Sequence, residues 1–319
     1  MKCLITGGAG FIGSNFIENL LSGELELEFD EICVVDKLTY AANLQFVERI
    51  KSDARVVFIQ GDITDDRILD CLVPKTDVLI NFAAESHVDR SISNSKEFVL
   101  SNVLGTERLL AASMRHEVSR FVQISTDEVY GSLAEGLADE ESQLVCNSPY
   151  SASKGAADLI ALSYYATHGL DLVITRCSNN YGRYQNYEKF IPTIIKSALN
   201  GESIPIYGNG LNSREWIHVS DHCRGIAAVT ARGAPGNIYN IGSGLVMNNL
   251  ELTYSILDYM QIPQNQVIHV EDRKGHDFRY ALNSAKIRSD LGWHPLKKFD
   301  DAIAETVEYY KIMSDTKSI

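Results

Sequence analysis

The glycines at positions 7, 10 and 13 restrict the fold of this chain more than any other feature of its sequence. They lie between a short apolar run at residues 2–6 and a helical pattern at residues 11–21. In such a strand–turn–helix unit, Gly7 permits the tight turn, Gly10 lets the backbone approach a pyrophosphate, and Gly13 lets the helix pack on the strand. The positive end of the helix dipole then faces the phosphates. The pattern predicts a dinucleotide site, with a plain glycine-rich turn as the alternative.

Short runs rich in valine and isoleucine alternate with helix-length segments through the first half of the chain. The runs occupy residues 2–6, 31–35, 56–60, 77–82, 121–125 and 172–175. Buried parallel strands have this composition, and ligands bind beyond their carboxyl ends, where these runs give way to small or polar residues. The sequence therefore predicts an α/β fold, a Rossmann-like doubly wound parallel sheet with helices on both faces.

Loops become more frequent after residue 177, at 179–182, 207–210 and 242–244, while helical patterns persist. This change predicts a dinucleotide-binding domain over residues 1–176 and a smaller, irregular α/β substrate domain over residues 177–319. The boundary is not sharp, because the strand pattern at 238–241 can return to the main sheet.

Composition narrows the choice of partner and compartment. The net charge of −13 disfavours nucleic acid and anionic membranes as partners. The six cysteines contain no C-x-x-C pair, which favours reduced thiols and a cytoplasmic protein. The apolar run at the N-terminus is too short for a signal peptide, and no later run is long enough to span a bilayer.

An acidic residue ends the second predicted strand. Asp36 can accept hydrogen bonds from the adenosine ribose hydroxyls and repel a 2′-phosphate, so the predicted cofactor is NAD rather than NADP. The neighbouring Lys37 weakens that exclusion. Asp62, at the end of the third run, is either a contact for adenine or an ordinary turn residue.

Tyr150 and Lys154 lie at positions i and i+4, just after Pro149, which suits a first helical turn. On a helix the two side chains share one face. Tyrosine has an ordinary pKa of about 10. A lysine ammonium and the positive nicotinamide ring would stabilise the phenolate and make Tyr150 a base for a sugar hydroxyl. The alternative is a surface tyrosine with an unrelated lysine.

Thr126, Asp127 and Glu128 follow the fifth predicted strand, where ligands are expected. Thr126 can hydrogen bond the reacting hydroxyl. Two adjacent carboxylates in a loop are often only solvated surface. Beside a nicotinamide, however, Asp127 and Glu128 would supply an acid and a base that simple hydride transfer does not need. They predict a second proton-transfer step, such as elimination of water.

Two histidine patterns favour no metal. His218 and His222 are spaced i, i+4 but lack the glutamate of the H-E-x-x-H motif, so we predict no metal site. His87 follows the fourth run and either lines the ligand pocket or makes a structural hydrogen bond.

Strings along nearly the whole chain resemble the extended short-chain dehydrogenase/reductase family and, within it, the dTDP-glucose 4,6-dehydratases. The strings are GGAGFIGSN (7–15), DKLTYAAN (36–43), AAESHVDRSI (83–92), STDEVYG (125–131), RCSNNYG (176–182) and RKGHDFRY (273–280). STDEVYG is the most specific, since related sugar-nucleotide epimerases lack Asp-Glu at that place.

The resemblance implies a reaction and a role for each candidate catalytic residue. Tyr150 takes the proton of the sugar C4 hydroxyl as hydride passes to NAD, Lys154 lowers the pKa of Tyr150 and binds the nicotinamide ribose, and Thr126 orients the hydroxyl. Glu128 then removes the C5 proton, and Asp127 protonates the departing C6 hydroxyl. Hydride returns to C6, which gives a 4-keto-6-deoxy sugar nucleotide and regenerates NAD.

The resemblance and the fingerprint together predict the binding residues, with dTDP-glucose or a related NDP-hexose as substrate. The expected cofactor contacts are Gly7, Gly10, Phe11, Ile12, Gly13, Asp36, Lys37, Asp62, Ile63, Ala83, Ala84, Tyr150 and Lys154. The expected substrate contacts are Ser86, His87, Thr126, Asn179, Glu188, Lys189, Phe190, Tyr207, Arg214, Arg273, His276 and Tyr280. Arg214 and Arg273 suit the diphosphate, and Tyr207 can stack on the base. A homodimer formed through a helix bundle is also implied.

Several alternatives stay open. Arg183 and Tyr187 stand where the family has proline, and Phe190 and Ala42 stand where it has leucine and glycine. Most of these changes lie near the expected nucleotide, so the same reaction on a UDP-sugar is one alternative. An NDP-sugar 4-epimerase or decarboxylase is another, although the adjacent carboxylates argue against it. A regulatory protein that senses NAD is the third, although it would not need an acid and a base.

Overall fold

The structure is a computed structural model that describes residues 1–272 and 275–316. Its strands are β1 (Lys2–Thr6), β2 (Glu31–Asp36), β3 (Val56–Gln60), β4 (Val78–Asn81), β5 (Arg120–Thr126), β6 (Leu172–Cys177), β7 (Asn179–Tyr181), β8 (Ile204–Tyr207), β9 (Ser213–His218), β10 (Ile238–Ile241), β11 (Val246–Asn248) and β12 (Val267–Val270). Its α-helices are α1 (Phe11–Leu21), α2 (Leu44–Ile50), α3 (Asp66–Leu72), α4 (Val88–Ser93), α5 (Lys96–Phe98), α6 (Gly105–Arg115), α7 (Pro149–His168), α8 (Phe190–Asn200), α9 (Val219–Arg232), α10 (Asn249–Met260), α11 (Ala285–Leu291) and α12 (Phe299–Thr316). A π-helical turn precedes α6, at Val99–Leu104, and 3₁₀ turns lie at Asp127–Tyr130 and Gln264–Gln266.

Parallel strands form a seven-stranded main sheet in the order β10-β6-β5-β4-β1-β2-β3. The chain adds β2 and β3 on one side of β1, and β4, β5 and β6 on the other. Connections therefore leave the carboxyl ends of β1 and β4 in opposite directions, which opens a crevice between them where ligands bind in such sheets. The predicted Rossmann-like fold is confirmed.

Helices cover both faces of this sheet, as its nearly continuous apolar strands require. On one face Phe16 and Ile17 of α1 pack with Val34 of β2 and Ile80 of β4. On the other face an apolar cluster joins β1, β2, β4, β5 and β6 to Leu109 of α6, with its neighbours in α3 and α7. The sheet is thus a rigid platform that fixes the positions of its strand ends.

The strand at residues 238–241 does return to the main sheet. It pairs in parallel with β6, with Ile238 opposite Ile174. Helix α9 also packs against α1, and its Ile226 and Val229 join the apolar cluster on that face. The later half of the chain therefore helps to build the first core, and a division at residue 176 stays a prediction.

Two smaller sheets flank the carboxyl edge of the platform. One has the order β11-β9-β7, and the other pairs β12 with β8. A separate apolar core holds them together, with Ile194 of α8, Trp216 of β9, Ile256 of α10 and Val307 of α12 among its members. These elements form one wall of the ligand crevice described below.

A buried ion pair joins strand β6 to helix α7 behind that crevice. Arg176 of β6 and Asp158 of α7 are 2% and 0% exposed, and Arg176 Nε lies 2.9 Å from Asp158 Oδ2. The Ser125 hydroxyl donates to the same carboxylate oxygen at 3.0 Å, and the guanidinium lies 4.8 Å from the centre of the Tyr130 ring. Burial raises the pKa of Asp158, and the charge of Arg176 opposes that rise.

We expect Arg176→Met to lower the free energy of unfolding by about 3–5 kcal/mol, because it leaves the Asp158 carboxyl buried without its partner. Urea unfolding measures the change. The double variant Arg176→Met with Asp158→Asn should lose less than the sum of the two single variants, since it removes both charges. Strict additivity, or a loss below about 1 kcal/mol for Arg176→Met, would contradict the interpretation of this pair as a coupled unit.

Candidate active site

The glycine-rich turn between β1 and α1 has no room for side chains. Gly7 has a φ of +67°, and a Cβ on Gly13 would lie 2.5 Å from the Gly7 carbonyl oxygen. A Cβ on Gly7 would lie 2.5 Å from the backbone nitrogen of Ala83. The turn therefore packs directly against the end of β4 and leaves the first N–H groups of α1 facing the crevice, as a diphosphate site requires.

Asp36 lies at the end of β2 with both carboxylate oxygens fixed by backbone donors. The N–H of Ala9 donates to Oδ2 at 2.9 Å, and the N–H of Leu38 donates to Oδ1 at 2.8 Å. Burial raises the pKa of Asp36, and these two donors oppose the rise. The carboxylate is thus held beside the glycine turn, where its remaining lone pairs can accept ribose hydroxyls.

Lys37 and Asp62 form an ion pair that the sequence did not indicate. Lys37 Nζ lies 2.8 Å from Asp62 Oδ2, and the other Asp62 oxygen accepts from the backbone and hydroxyl of Thr64, each at 2.9 Å. Asp62 therefore makes the contacts of a turn residue, which is one of the two roles that the sequence allowed. Because its charge is paired with Asp62, Lys37 offers a 2′-phosphate less attraction than we expected.

Three adjoining cavities follow the carboxyl edge of the sheet. The first, of about 100 Å³, lies beside Asp36 and brings together eight of the predicted cofactor contacts. These are Gly7, Gly10, Asp36, Lys37, Asp62, Ile63, Ala83 and Ala84.

The second cavity, of about 250 Å³, joins the glycine turn to the candidate catalytic groups. Its lining includes the predicted residues Gly7, Gly10, Phe11, Ile12, Gly13, Ala84, Ser86, His87, Thr126, Asp127, Glu128, Tyr150, Lys154, Asn179, Glu188 and Lys189. The third cavity, of about 290 Å³, shares some of these residues and extends between the two smaller sheets. It adds the predicted residues Phe190, Tyr207, Arg214, His276 and Tyr280. The remaining predicted contact, Arg273, lies outside the described residues.

Tyr150 and Lys154 both lie on α7 and are buried, with the helix capped by Ser148 and begun by Pro149. Lys154 Nζ donates to the Ile124 carbonyl oxygen at 2.6 Å. Burial and the charge of Glu128 raise the pKa of Tyr150, which is opposite to the lowering that we expected. That lowering therefore depends on positive charge brought by a bound dinucleotide, and it stays a prediction.

Asp127 is held in a form that suits an acid. It begins the 3₁₀ turn after β5, and its Oδ1 accepts the Thr126 hydroxyl at 3.2 Å. Burial raises the pKa of Asp127 well above its usual range, and the charges of Glu128 and Glu215 raise it further. Its other oxygen, Oδ2, is buried and has no hydrogen-bond partner in residues 1–272 and 275–316. A protonated carboxyl here can donate to a ligand atom.

The walls of the third cavity are fixed by local contacts. The Arg214 guanidinium lies 4.4 Å from the centre of the Tyr280 ring and donates to the Asp277 carbonyl oxygen at 2.9 Å. Phe190 stacks on Trp216, with ring centres 6.3 Å apart. One face of the cavity is therefore aromatic and another is cationic, a combination that suits a nucleoside diphosphate.

Two predicted contacts at the mouth of the cavities have protein partners of their own. Glu188 Oε1 lies 2.6 Å from an Arg90 nitrogen, and its Oε2 lies 3.6 Å from His87 Nε2. Burial lowers the pKa of His87, so the imidazole stays neutral near pH 7. Lys189 Nζ donates to the Ser86 carbonyl oxygen at 2.9 Å, which joins the two rims of the crevice.

Sequence reasoning missed several residues that line the third cavity. They are Gln185, Pro205, Trp216, Asn249, Val270 and Asp277. Asn249 is the first residue of α10, directly after the capping residue Asn248, and the run Asn-Asn before a helix was the available signal. The others lie on elements whose position depends on the second half of the fold.

The two histidines spaced i, i+4 do not share a ligand-binding face. His222 Nδ1 lies 2.9 Å from Asn180 Oδ1, and burial lowers the pKa of His222 to about 3. His218 Nδ1 accepts the Ser220 N–H at 3.4 Å. Within the described ranges, no group of three or more His, Cys, Asp or Glu side chains is arranged to hold a metal ion.

A doubly wound sheet, a glycine turn at its crevice and a buried Tyr–Lys pair beside that turn define a dinucleotide-dependent enzyme of the short-chain dehydrogenase/reductase class. Comparison with known proteins narrows the class. Residues 4–306 match the sequence model of the GDP-mannose 4,6 dehydratase family. A dTDP-glucose 4,6-dehydratase of Actinoplanes sp. is 48% identical over 98% of both chains.

Solved structures agree with these matches. The dTDP-glucose 4,6-dehydratase DesIV of Streptomyces venezuelae, solved with NAD bound, superposes with a TM-score of 0.97 at 48% identity, covering 99% of this chain and 98% of that one. The dTDP-glucose 4,6-dehydratase of Bacillus anthracis, in complex with NAD, gives a TM-score of 0.92 at 41% identity over 99% and 98%. The chain belongs to the dTDP-glucose 4,6-dehydratase family.

Proposed function

We propose that this protein is an NAD-dependent hydro-lyase that converts dTDP-glucose to dTDP-4-keto-6-deoxyglucose. The observation that carries the proposal is a buried Asp127 of raised pKa beside Glu128, in the same cavity as Tyr150 and the glycine turn. An epimerase needs only the tyrosine and the dinucleotide. The relatives named as dTDP-glucose 4,6-dehydratases support the same reaction.

The first half of the reaction is oxidation at C4. Bound NAD accepts hydride from C4 and later returns it to C6. Tyr150 takes the C4 hydroxyl proton, and Thr126, which lines the same cavity, aligns the hydroxyl with Tyr150. Lys154 contributes a positive charge on the same helix face. Burial lowers the pKa of Lys154, and the charge of the Asp158 carboxylate opposes that fall.

The second half is elimination of water across C5 and C6. A ketone at C4 makes the C5 hydrogen acidic, and Glu128, which lines the cavities on both sides, removes that proton. Burial raises the pKa of Asp127 and so favours the protonated carboxyl, which can donate to the departing C6 hydroxyl. The two neighbouring carboxyls thereby have opposite tasks, which their different environments permit.

The nucleotide diphosphate is assigned to the third cavity. Arg214 faces the diphosphate, the Tyr207 ring at the cavity rim stacks on the base, and Asn179 contacts the sugar side of the crevice. Asn179 Oδ1 is buried and has no hydrogen-bond partner within the described part of the chain, so it is available to a ligand donor. The base itself is assigned from the relatives, and the same reaction on a UDP-sugar is the alternative.

The test is mass analysis of the product after incubation with dTDP-glucose and, separately, with UDP-glucose. We expect dTDP-glucose to lose one water and to give the alkaline absorbance of a 4-keto sugar. A product of unchanged mass would indicate a 4-epimerase. A protein that binds NAD but turns over neither substrate would favour a regulatory sensor of NAD.

Asp36→Ala should weaken NAD binding by about 10- to 100-fold, since a hydrogen bond to a charged group contributes about 1.5–3 kcal/mol. It should also reduce the preference for NAD over NADP. Titration of protein fluorescence with each dinucleotide measures the two affinities. Asp53→Ala, which removes a carboxylate that pairs with Arg55 beyond α2, is the matched control. Tighter binding of NADP than NAD by the unmutated protein would contradict the assignment of Asp36.

We also propose that the protein is a cytoplasmic homodimer. Leu159 of α7 is 59% exposed and Val99 of the neighbouring π-helical turn is 52% exposed, and α7 packs along α6. Two copies related by a two-fold axis would cover these side chains in a helix bundle. The six cysteines are free thiols, which suits a reducing compartment. Analytical ultracentrifugation tests the dimer, and Leu159→Lys should weaken it.

The part of the chain that the structure describes contains no helix long and apolar enough to cross a membrane.

A further inference from the structure

The loop at residues 183–189 lines both halves of the site. It connects β7 to α8, and three of its side chains, Gln185, Glu188 and Lys189, line the cofactor cavity and the substrate cavity alike. A displacement of this loop would therefore alter both cavities together. The contacts that hold it in place are a point at which the two ligands can influence each other.

The dinucleotide helix α1 holds the beginning of this loop. Asn15 is buried, and its amide donates to the Arg183 carbonyl oxygen at 2.8 Å and to the Phe11 carbonyl oxygen at 2.9 Å. Glu18, one turn further along, accepts the Arg183 guanidinium at 2.9 Å and the Tyr184 hydroxyl at 3.0 Å. The i, i+3 spacing places Asn15 and Glu18 on one face of the helix, so they hold the loop at successive turns.

The Glu18 carboxylate also contacts the neighbouring helix α2. Arg49 of α2 hydrogen bonds to Glu18 and, at 2.6 Å, to the Tyr184 hydroxyl. The Tyr184 ring lies 5.7 Å from the ring of Phe46 in α2 and 5.7 Å from that of Tyr309 in α12. Glu18 is thus the common acceptor for three donors that come from the loop and from α2.

Tyr184 needs these contacts because its backbone is in the left-handed region, with a φ of +68°. A non-glycine residue is disfavoured there. The hydroxyl contact to Glu18 and the two ring contacts therefore select one conformation of the loop. Without Glu18, this conformation of the loop would lose part of its stabilisation.

The N-terminal end of α1 lines the cofactor cavity. The first turn of the helix, at Gly10 to Gly13, lines the cofactor cavity, and the Asn15 amide is bonded to Phe11 in that turn. A diphosphate that fixes the first turn consequently fixes the support of the loop, only one turn away.

We propose that Glu18, assisted by Asn15, is a positioning residue that couples binding of the dinucleotide to binding of the sugar nucleotide through the 183–189 loop. The inference rests on the proposed function, because it assigns the two cavities to those two ligands. Coupling of binding free energies is reciprocal, so occupation of the substrate cavity should also retain the cofactor. Retention matters for this reaction, since the same NAD must return the hydride that it accepted.

The test measures release of NAD from the holoenzyme into a large excess of a competing dinucleotide-binding trap, with and without saturating dTDP. In the wild type we expect dTDP to slow release at least about 5-fold, the lower end of ordinary coupling between sites. Glu18→Gln keeps the shape of the side chain but loses its charge, and it should reduce this factor to below about 2. It should also raise KM for dTDP-glucose several-fold more than it lowers kcat.

Two further variants separate coupling from a general loss of structure. Glu26→Gln removes a carboxylate that is 89% exposed and pairs with Arg232 at 3.4 Å, away from the loop, and it should behave as wild type. Arg183→Ala should reproduce part of the effect of Glu18→Gln, because it removes one of the three donors to Glu18. The double variant should lose less than the sum of the two single variants, because both remove the Arg183–Glu18 contact.

The outcomes are distinguishable. Slowing by dTDP that is equal in the wild type, Glu18→Gln and Arg183→Ala would overturn the coupling role, and so would dTDP that binds the wild type without slowing release. Equilibrium dialysis establishes whether dTDP binds at all. A wild-type protein that binds NAD but neither binds dTDP nor converts dTDP-glucose would instead overturn the proposed function.

Discussion

Tyr150→Phe is expected to reduce kcat for dTDP-glucose by about 10²- to 10⁴-fold, the usual loss when a positioned base is removed. The ring should keep its place, because phenylalanine preserves the edge contact with Phe98, whose ring centre lies 6.3 Å away. Only the hydroxyl that receives the C4 proton is lost. The block therefore falls on the first hydride transfer, and bound NAD should stay oxidised when substrate is added.

The measurement is single-turnover absorbance of NADH in the holoenzyme. Lys154→Met should also suppress NADH formation, since it removes the positive charge on the same helix face. Tyr165→Phe, on an exposed tyrosine of the same helix α7, is the matched control and should turn over normally. Near-normal turnover by Tyr150→Phe would remove Tyr150 from the mechanism.

The pH dependence has a definite sign. Burial and the charge of Glu128 raise the pKa of Tyr150, so the phenolate that acts as base forms only as pH rises. The rate of C4 oxidation should therefore increase with pH, and this increase should be absent from the residual activity of Tyr150→Phe. A rate of C4 oxidation that does not change as pH rises from acidic values would contradict a titrating base.

The sequence was sufficient for the features that depend on local spacing. Gly7, Gly10 and Gly13 predicted the turn because its geometry excludes a Cβ, and the structure places a hypothetical Cβ of Gly13 within 2.5 Å of backbone. The apolar runs predicted the parallel sheet because strands buried on both faces must be apolar along their length. Tyr150 and Lys154 were found together because the helix places i and i+4 on one face.

Features that depend on packing between distant segments were not accessible in this way. Asn249 reaches the third cavity because α10 packs beside β11, and the Asn-Asn run next to it indicates the start of a helix rather than a ligand contact. The Arg183–Glu18 contact joins residues 165 positions apart. The direction of the Tyr150 pKa shift also depends on burial by the whole fold, which spacing alone does not reveal.

Variants of the two adjacent carboxyls are expected to separate the later steps of the reaction. Glu128→Gln should still reduce bound NAD when substrate is added but should fail to exchange the C5 hydrogen with solvent. Asp127→Asn should reduce NAD and exchange C5, yet lose the C6 hydroxyl slowly. Each loss should be about 10²- to 10⁴-fold in overall rate, as for removal of a positioned acid or base.

The order of these blocks follows from the chemistry and from the environment of each group. The C5 hydrogen becomes acidic only after C4 is a ketone, so Glu128 acts after Tyr150. The C6 hydroxyl leaves well only if it is protonated, and burial raises the pKa of Asp127, which favours the protonated carboxyl that can donate. An asparagine at position 127 can still donate a hydrogen bond but cannot transfer a proton.

The measurement combines single-turnover absorbance of NADH with deuterium uptake at C5, followed by mass analysis of the sugar. Asp139→Asn is the matched control, because Asp139 is an exposed aspartate that is also followed by a glutamate in a loop. Wild-type rates in both active-site variants would mean that Asp127 and Glu128 have no catalytic role, and the dehydratase proposal would fail. If neither variant reduces NAD, the carboxyls act in binding or in the first step, and the division of roles between Asp127 and Glu128 is wrong.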